Sequence, residues 1–245
     1  MSARITFATA ARILRQLRHD RRTIALILAV PTLLLTLLRY MFDAQPALFD
    51  RVALVMLGVF PFTMMFLLTS VAMLRERTTG TLERLLTTPV SKLDILLGYG
   101  IAFAAAATVQ AVVASTLAYW LLGLDTVGSA WLVVLIAIGN AVLGMALGLL
   151  VSAFARSEFQ AVQFMPAVVL PQVLLCGLFV PREQMVGWLQ AISDVLPMSY
   201  AVEALTEVGT HADPTATIWR DLAIIVAAAV IALVLGAATL RRRSP

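Results

Sequence analysis

Long apolar runs separated by short polar segments dominate this chain of 245 residues. A helix needs about 20 predominantly apolar residues to cross about 30 Å of hydrocarbon. The pattern therefore predicts an all-α integral membrane protein in which residues 1–245 form one transmembrane domain with six spans. The predicted spans are residues 23–40, 52–74, 95–122, 130–154, 161–180 and 218–240.

Composition agrees with this pattern and excludes several other classes. Apolar residues make up 61% of the chain and charged residues 13%, whereas a soluble domain averages about 45–50% apolar and about 25% charged residues. A soluble enzyme, a disordered tail and a disulfide-stapled secreted domain are therefore excluded. The single cysteine, Cys176, lies in an apolar run and cannot form an intramolecular disulfide.

Two segments outside the spans have an amphipathic pattern. Residues 1–22 carry six arginines opposite an apolar stripe, which predicts an interfacial helix in the headgroup layer. A signal peptide is the alternative, and the five spans that follow the first one disfavour it. Residues 181–217 contain two short amphipathic stretches beside Pro181 and Pro197, which predicts an outer helical hairpin that partly re-enters the membrane.

The distribution of basic residues predicts the orientation of the spans. If the N-terminus is cytoplasmic and six spans alternate, 14 of the 18 lysines and arginines lie on the cytoplasmic side. Nine of the 14 acidic residues then lie outside. Because cytoplasmic loops of membrane proteins are enriched in lysine and arginine, both termini are predicted to be cytoplasmic.

The polar segment 75–94, between the second and third spans, has the most informative sequence. A Thr-Gly-Thr run near its start is expected to end the second span's helix and to cap a new one. Leu82, Leu85 and Leu86 then share one helical face, and Pro89 disfavours helix at the residue before it. The pattern predicts a short amphipathic helix on the cytoplasmic face, where it either binds a partner or rests on lipid.

This segment closely resembles a hallmark of the ABC-2 type transporter family, the membrane subunits of type-2 ABC exporters, which include daunorubicin-resistance-type drug exporters. The family pattern is Arg-Glu-x-x-x-Gly-Thr-Leu-Glu-x-Leu-x-x-x-Pro, followed by a hydrophobic residue and Ser or Thr. The matching positions are Arg75, Glu76, Gly80, Thr81, Leu82, Glu83, Leu85, Pro89, Val90 and Ser91. The family often has a lysine after the glycine that opens the third span, where this chain has Tyr99 after Gly98.

The resemblance implies a non-catalytic permease whose short helix sits in a cleft of a separate ABC ATPase. This chain contains no Gly-x-x-x-x-Gly-Lys-Ser/Thr phosphate loop, so ATP and Mg are expected on the partner ATPase, and neither a cofactor nor a metal on this chain. The residues expected to couple to the ATPase are Arg75, Glu76, Gly80, Thr81, Leu82, Glu83, Arg84, Leu85, Leu86, Pro89, Arg156 and Ser157.

The expected function is export of an amphipathic drug-like or lipid-like substrate across the bacterial cytoplasmic membrane. The expected partners are the ATPase, a second permease chain (identical or related), membrane lipids and a hydrophobic small molecule, and nucleic acid is not expected. Gln163, Pro166 and Gln172 are candidates for lining the substrate path, because prolines free backbone carbonyls that a cavity can solvate.

Three other functions are alternatives to this one. Export of a polysaccharide or glycolipid by the same family stays open. A secondary carrier that works without an ATPase is disfavoured because no span has an acidic or basic residue at mid-membrane depth. A scaffold or membrane-embedded enzyme is the third alternative, and no clustered catalytic side chains at bilayer depth support the enzyme.

The predicted topology can be tested with single cysteines introduced after Cys176 has been replaced. Cysteines at Thr79 and Ser157 should be shielded from an impermeant thiol reagent added outside, and one at Thr210 should react. Labelling of intact and of permeabilised cells provides the measurement and its control. Labelling at Thr79 from outside would overturn the arrangement of six spans with both termini inside.

Overall fold

A computed structural model describes residues 3–79 and 92–239 of the protein. The described residues form α-helices joined by short loops, with a 3-10 turn at Arg182–Gln184. The helices are α1 Ala3–His19, α2 Arg21–Met41, α3 Pro46–Thr78, α4 Lys92–Trp120, α5 Ala130–Val151, α6 Glu158–Leu175, α7 Gly187–Val195, α8 Pro197–Thr210 and α9 Ala216–Thr239.

Six of these helices, α2 to α6 and α9, are long and apolar enough to cross a membrane. The six predicted spans are therefore confirmed as helices. The bundle has an inner end, where α1 and the C-terminus of α3 lie, and an outer end that carries α7 and α8. The assignment of the inner end to the cytoplasm stays a prediction.

The largest differences from the predicted boundaries are at the start of the second span and at the end of the fifth. Helix α3 begins at Pro46, six residues before the predicted start, because proline is well accommodated in the first helical turn. Helix α6 ends at Leu175, five residues before the predicted end. Cys176 follows as its C-cap, and Gly177 has φ +94°, in the left-handed region where glycine is favoured, so the helix cannot continue.

Asp20 lies between α1 and α2. The predicted amphipathic segment and the first span are therefore two separate helices. The Asp20 carboxylate accepts hydrogen bonds from the Thr23 amide at 3.1 Å and from the Thr23 hydroxyl at 2.5 Å. These two bonds lower the pKa of the Asp20 carboxyl below its ordinary value. This N-cap starts a new helix at Arg21, and the depth of α1 in the headgroup layer stays a prediction.

Helices α3 and α5 form the centre of the bundle. In their most apolar 18-residue windows, 61% of α3 and 67% of α5 are buried, compared with 17% in both α2 and α6. Helices α4 and α9 pack on α5, and α2 and α6 pack on α3. Most of α2 and α6 is thus left facing outward, towards lipid or a partner.

Two glycines let α5 lie directly against the α3 backbone. A Cβ atom at Gly144 would collide with the Phe62 carbonyl, and one at Gly148 with the Phe66 carbonyl. One turn away, the Asn140 amide donates a 2.9 Å hydrogen bond to the Gly58 carbonyl of α3. The Gly-x-x-x-Gly face of α5 therefore serves packing within one chain.

The outer segment contains two helices, α7 and α8, joined at Leu196. The Ser193 hydroxyl at the end of α7 donates to the Leu175 carbonyl at 2.6 Å. Helix α8 buries one face, including Met198 and Leu205, against α3, α5 and α9. The predicted pair of helices is thus present, and their depth in the membrane stays a prediction.

Replacing Gly144 with alanine should lower the stability of the bundle. The added methyl group meets rigid backbone of α3, and overpacking costs about 1–3 kcal/mol. Gly100→Ala is the matched control, because no atom lies within 4 Å of a Cβ placed there and alanine favours helix by about 1 kcal/mol. Thermal unfolding in detergent should show a lower midpoint for Gly144→Ala and an unchanged or higher one for Gly100→Ala. Equal shifts would contradict the close approach of the two backbones.

Candidate functional site

The C-terminal end of α3 is joined to the start of α6 by an ion pair. The Arg75 guanidinium donates from Nε to Oε1 of Glu158 at 2.7 Å and from a terminal nitrogen to Oε2 at 3.0 Å. This two-point geometry fixes the orientation of both side chains. The pair therefore holds the C-terminal end of α3 next to the N-terminal end of α6.

The neighbouring residue, Glu76, turns into the protein instead of outwards. It is 9% exposed, and its Oε1 atom lies 3.8 Å from the guanidinium of Arg12 on α1. Arg12 also donates to the Tyr99 hydroxyl of α4 at 2.9 Å. Tyr99, which departs from the family pattern, thus takes part in a contact that joins α1, α3 and α4.

The inner loop before α6 is ordered by capping hydrogen bonds. Ser157 is the N-cap of α6, and its hydroxyl accepts from the Gln160 amide at 3.2 Å. The Gln160 side chain in turn accepts from the Arg156 amide at 2.8 Å. This reciprocal arrangement is a variant of the capping box. It leaves the Arg156 side chain exposed on the inner surface.

Most of the predicted coupling helix lies outside the described residues. Arg75, Glu76, Arg156 and Ser157 are described, and they lie at the inner end. The remaining predicted coupling residues, all outside the described ranges, are Gly80, Thr81, Leu82, Glu83, Arg84, Leu85, Leu86 and Pro89.

The three residues predicted for the substrate path do not share one face of α6. Gln163 and Pro166 are exposed, whereas Gln172 is buried, with 3% of its surface accessible. The Gln172 amide donates to the Val168 carbonyl of its own helix at 3.2 Å. A path along the outward face of α6 would therefore meet the first two residues and not Gln172.

A cluster of ion pairs at the outer end was missed by the sequence analysis. Arg182 pairs with Asp194 of α7 and with Glu203 of α8. Glu203 also pairs with Arg220 of α9 at 2.8 Å, and Arg220 contacts the buried Asp221 at 2.7 Å. The cluster joins α7, α8 and α9.

Arg182 is the central residue of this outer cluster. Burial opposes its positive charge, yet the hydrogen bond to Asp194 and the charge of Glu203 outweigh that effect and raise the pKa of the guanidinium. The sequence contained one signal for such pairing, since nine acidic residues and only four basic ones were predicted outside. It could not identify partners, because Arg182 and Glu203 are 21 positions apart.

Six helices that are long and apolar enough to span a membrane, with charged groups at the two ends of the bundle, define a polytopic α-helical membrane protein. The chain belongs to the ABC-2 type transporter family, whose pattern matches residues 4–208. That match runs from α1 through most of α8, so it includes both the inner ion pairs and the outer helices. The predicted family is therefore confirmed.

Three individual proteins that the chain resembles share 27% or 28% of the aligned residues with it. The chain is 28% identical over 58% of its length to ABC transporter G family member 20 of Dictyostelium discoideum. It is 27% identical over 64% to the Escherichia coli K12 protein named "Probable multidrug ABC transporter permease YbhR", and 27% identical over 69% to linearmycin resistance permease protein LnrN of Bacillus subtilis 168. These matches cover 19%, 42% and 43% of the relatives, so the chain spans less than half the length of each.

Removing the charge of Arg182 should destabilise the outer end. Arg182→Met leaves Asp194 without its cation and Glu203 with only one, and losing a hydrogen bond to a charged group costs about 1.5–3 kcal/mol. Thermal unfolding in detergent should show a lower midpoint, which Arg182→Lys restores in part. Arg51→Met, at an exposed position of α3, is the matched control. Equal midpoints for Arg182→Met and Arg51→Met would show that the cluster adds no stability.

Proposed function

We propose that this chain is the permease subunit of an ATP-driven exporter. It moves an amphipathic, drug-like or lipid-like molecule out across the cytoplasmic membrane of a bacterium, and both its termini are cytoplasmic. The observation that carries this proposal is the family match over residues 4–208. Relatives named for multidrug transport and for linearmycin resistance support a drug-like substrate.

Energy comes from a separate ABC ATPase that binds ATP and Mg. The sequence of this chain has no phosphate loop of the Gly-x-x-x-x-Gly-Lys-Ser/Thr type, which supports nucleotide binding elsewhere. The apolar face of Leu82, Leu85 and Leu86 anchors residues 80–91 in the ATPase, and Glu83 and Arg84 make contacts at its rim.

The ion pairs at the inner end support a route for that coupling. Residues 80–91 follow α3 directly, and α3 is joined to α6 through Arg75 and Glu158 and faces α1 through Glu76 and Arg12. Movement of the coupling segment would therefore reach three helices together. In this proposal Arg75 and Glu76 position the end of α3, while Arg156 and Ser157 provide a second surface for the ATPase.

Two permease chains complete the transporter in this proposal. The bundle leaves α2 and α6 largely unburied, and their apolar outward faces supply surface for a second chain as well as for lipid. The substrate path then runs between the two chains, past the exposed Gln163 and Pro166 of α6. ATP binding closes the ATPases, and the two permease halves shift against each other.

The double substitution Leu82→Ser/Leu85→Ser tests the coupling segment. Burying one leucine contributes about 1.5–3 kcal/mol, and about 1.4 kcal/mol is a factor of ten in affinity. Pull-down of the ATPase by the variant should therefore fall by one or more factors of ten at matched membrane levels. Substrate-stimulated ATP hydrolysis and export should fall with it.

Two controls make this result specific. Val186→Ser/Val195→Ser changes two exposed apolar residues of the outer segment and should leave ATPase recovery unchanged. The permease purified without an ATPase should hydrolyse no ATP. Undiminished recovery and export by the leucine variant would mean that the segment only rests on lipid, and turnover by the free permease would overturn the functional assignment.

A further inference from the structure

A cavity of about 710 Å³ lies at the inner end, between α1, α2, α3 and α4. Its volume falls within the range of about 300–1,000 Å³ that is usual for sites of drug-sized ligands. The apolar part of its wall is formed by side chains that include Leu26, Ile27, Met64, Leu68 and Phe103. The cavity thus offers a concave apolar surface that opens near the charged inner end.

The polar wall of this cavity is unequally charged. Asp20 and Glu76 contribute carboxylates, and Arg75 contributes one guanidinium that is already bound at two points by Glu158. The cavity wall thus contains two carboxylates and one guanidinium, and Arg12, which lies beside Glu76, is not part of that wall. Carboxylates therefore outnumber guanidiniums by one among the side chains that line the cavity.

The carboxylate of Glu76 is only partly satisfied by its neighbours. Its Oε1 lies near Arg12, but its Oε2 is buried and has no hydrogen-bond partner among the described residues. A buried carboxylate oxygen without a partner is costly for a folded protein. A cationic group in the cavity would provide the missing partner.

We propose that this cavity binds a lipophilic cation, with its positive charge against Glu76 and its apolar body among the side chains of α2, α3 and α4. As a class, these ligands are protonated amines or onium ions that carry hydrophobic groups. The identification of this ligand class as the exporter's substrate rests on the proposed function, whereas the binding site itself does not.

Anionic ligands fit the same cavity poorly. An anion would meet the carboxylates of Asp20 and Glu76, while the two nearby guanidiniums already face carboxylates. Asp20 also keeps its negative charge readily, since its hydrogen bonds with Thr23 lower its pKa. A neutral apolar molecule would fill the space but leave Glu76 Oε2 without a partner.

Two ions of equal size and opposite charge provide the test. Tetraphenylphosphonium and tetraphenylborate are permanently charged and nearly identical in shape, and their binding to the full chain in a neutral detergent can be measured by equilibrium dialysis against empty micelles. We expect saturable binding of the phosphonium and none of the borate. Ala72→Phe, which fills the cavity wall, should abolish the phosphonium binding.

Substitutions of Glu76 and of Arg12, which contact each other, should change phosphonium binding in opposite directions. Glu76→Gln should weaken phosphonium binding by about tenfold, because the variant loses the attraction between the carboxylate and the nearby positive charge. Arg12→Gln should strengthen phosphonium binding roughly two- to fivefold, because Arg12 then no longer competes with the ligand for Glu76. That factor corresponds to the free energy of a partly exposed ion pair. Asp213→Asn, an equal loss of charge in an exposed outer loop, should change nothing. A purely structural role would make both Glu76→Gln and Arg12→Gln weaken binding.

Each contrary result has a defined meaning. Equal binding of the two ions, or weaker binding by Arg12→Gln, would overturn the site. Displacement of the phosphonium by added phosphatidylethanolamine, but not by phosphatidylglycerol, would assign the cavity to a lipid headgroup instead of a transported solute. If the phosphonium binds as expected but the chain with its ATPase exports no lipophilic cation, the site stands and its identification as the exporter's substrate site fails.

Discussion

Direct contact between the backbones of α3 and α5 is the constraint on which the remaining packing depends. Helices in lipid gain little from the hydrophobic effect when they associate, so close van der Waals contact and interhelical hydrogen bonds decide how they pack. Gly144 and Gly148 allow that contact, and the hydrogen bond from Asn140 to Gly58 sets its register. Every other spanning helix packs on one or both of these two helices.

The length of α3 makes it a link between the two ends of the protein. Its 33 residues correspond to about 50 Å of helix, which is more than the hydrocarbon core of a bilayer. At the inner end it carries Arg75 and Glu76, and nearer the outer end Leu54 and Gly58 lie against α8. A displacement at the inner end can therefore reach the outer helices through one continuous element.

The charged groups of the described residues are arranged differently at the two ends. At the outer end, Arg182, Glu203 and Arg220 are paired with one another, so they stabilise the arrangement of α7, α8 and α9. At the inner end, Glu76 keeps one oxygen unpaired beside an apolar cavity. Buried polar atoms without a hydrogen-bond partner also occur at the outer end, at Arg182 Nε and Asp221 Oδ2, so Glu76 is distinguished by the apolar cavity beside it.

The sequence by itself determined the six spans, the family and the residues that match the family's motif. Span length is a local property, because about 20 apolar residues in a row suffice to cross a bilayer. The motif of residues 75–91 is likewise contiguous. What the sequence could not determine was which face of each helix turns inwards. The sequence names Gln163, Pro166 and Gln172 as one candidate set, whereas the structure leaves Gln163 and Pro166 exposed and buries Gln172.

Only the tertiary structure decided the partners of the charged residues. Arg75 and Glu158 lie 83 positions apart, and Arg12 and Tyr99 lie 87 positions apart. Their pairing depends on how α1 packs on α4 and on how α4 and α6 pack on α3. The inward orientation of Glu76 follows from the same packing. The sequence could not show it, because a hydropathy pattern describes the environment along a helix but carries no information on which helices become neighbours.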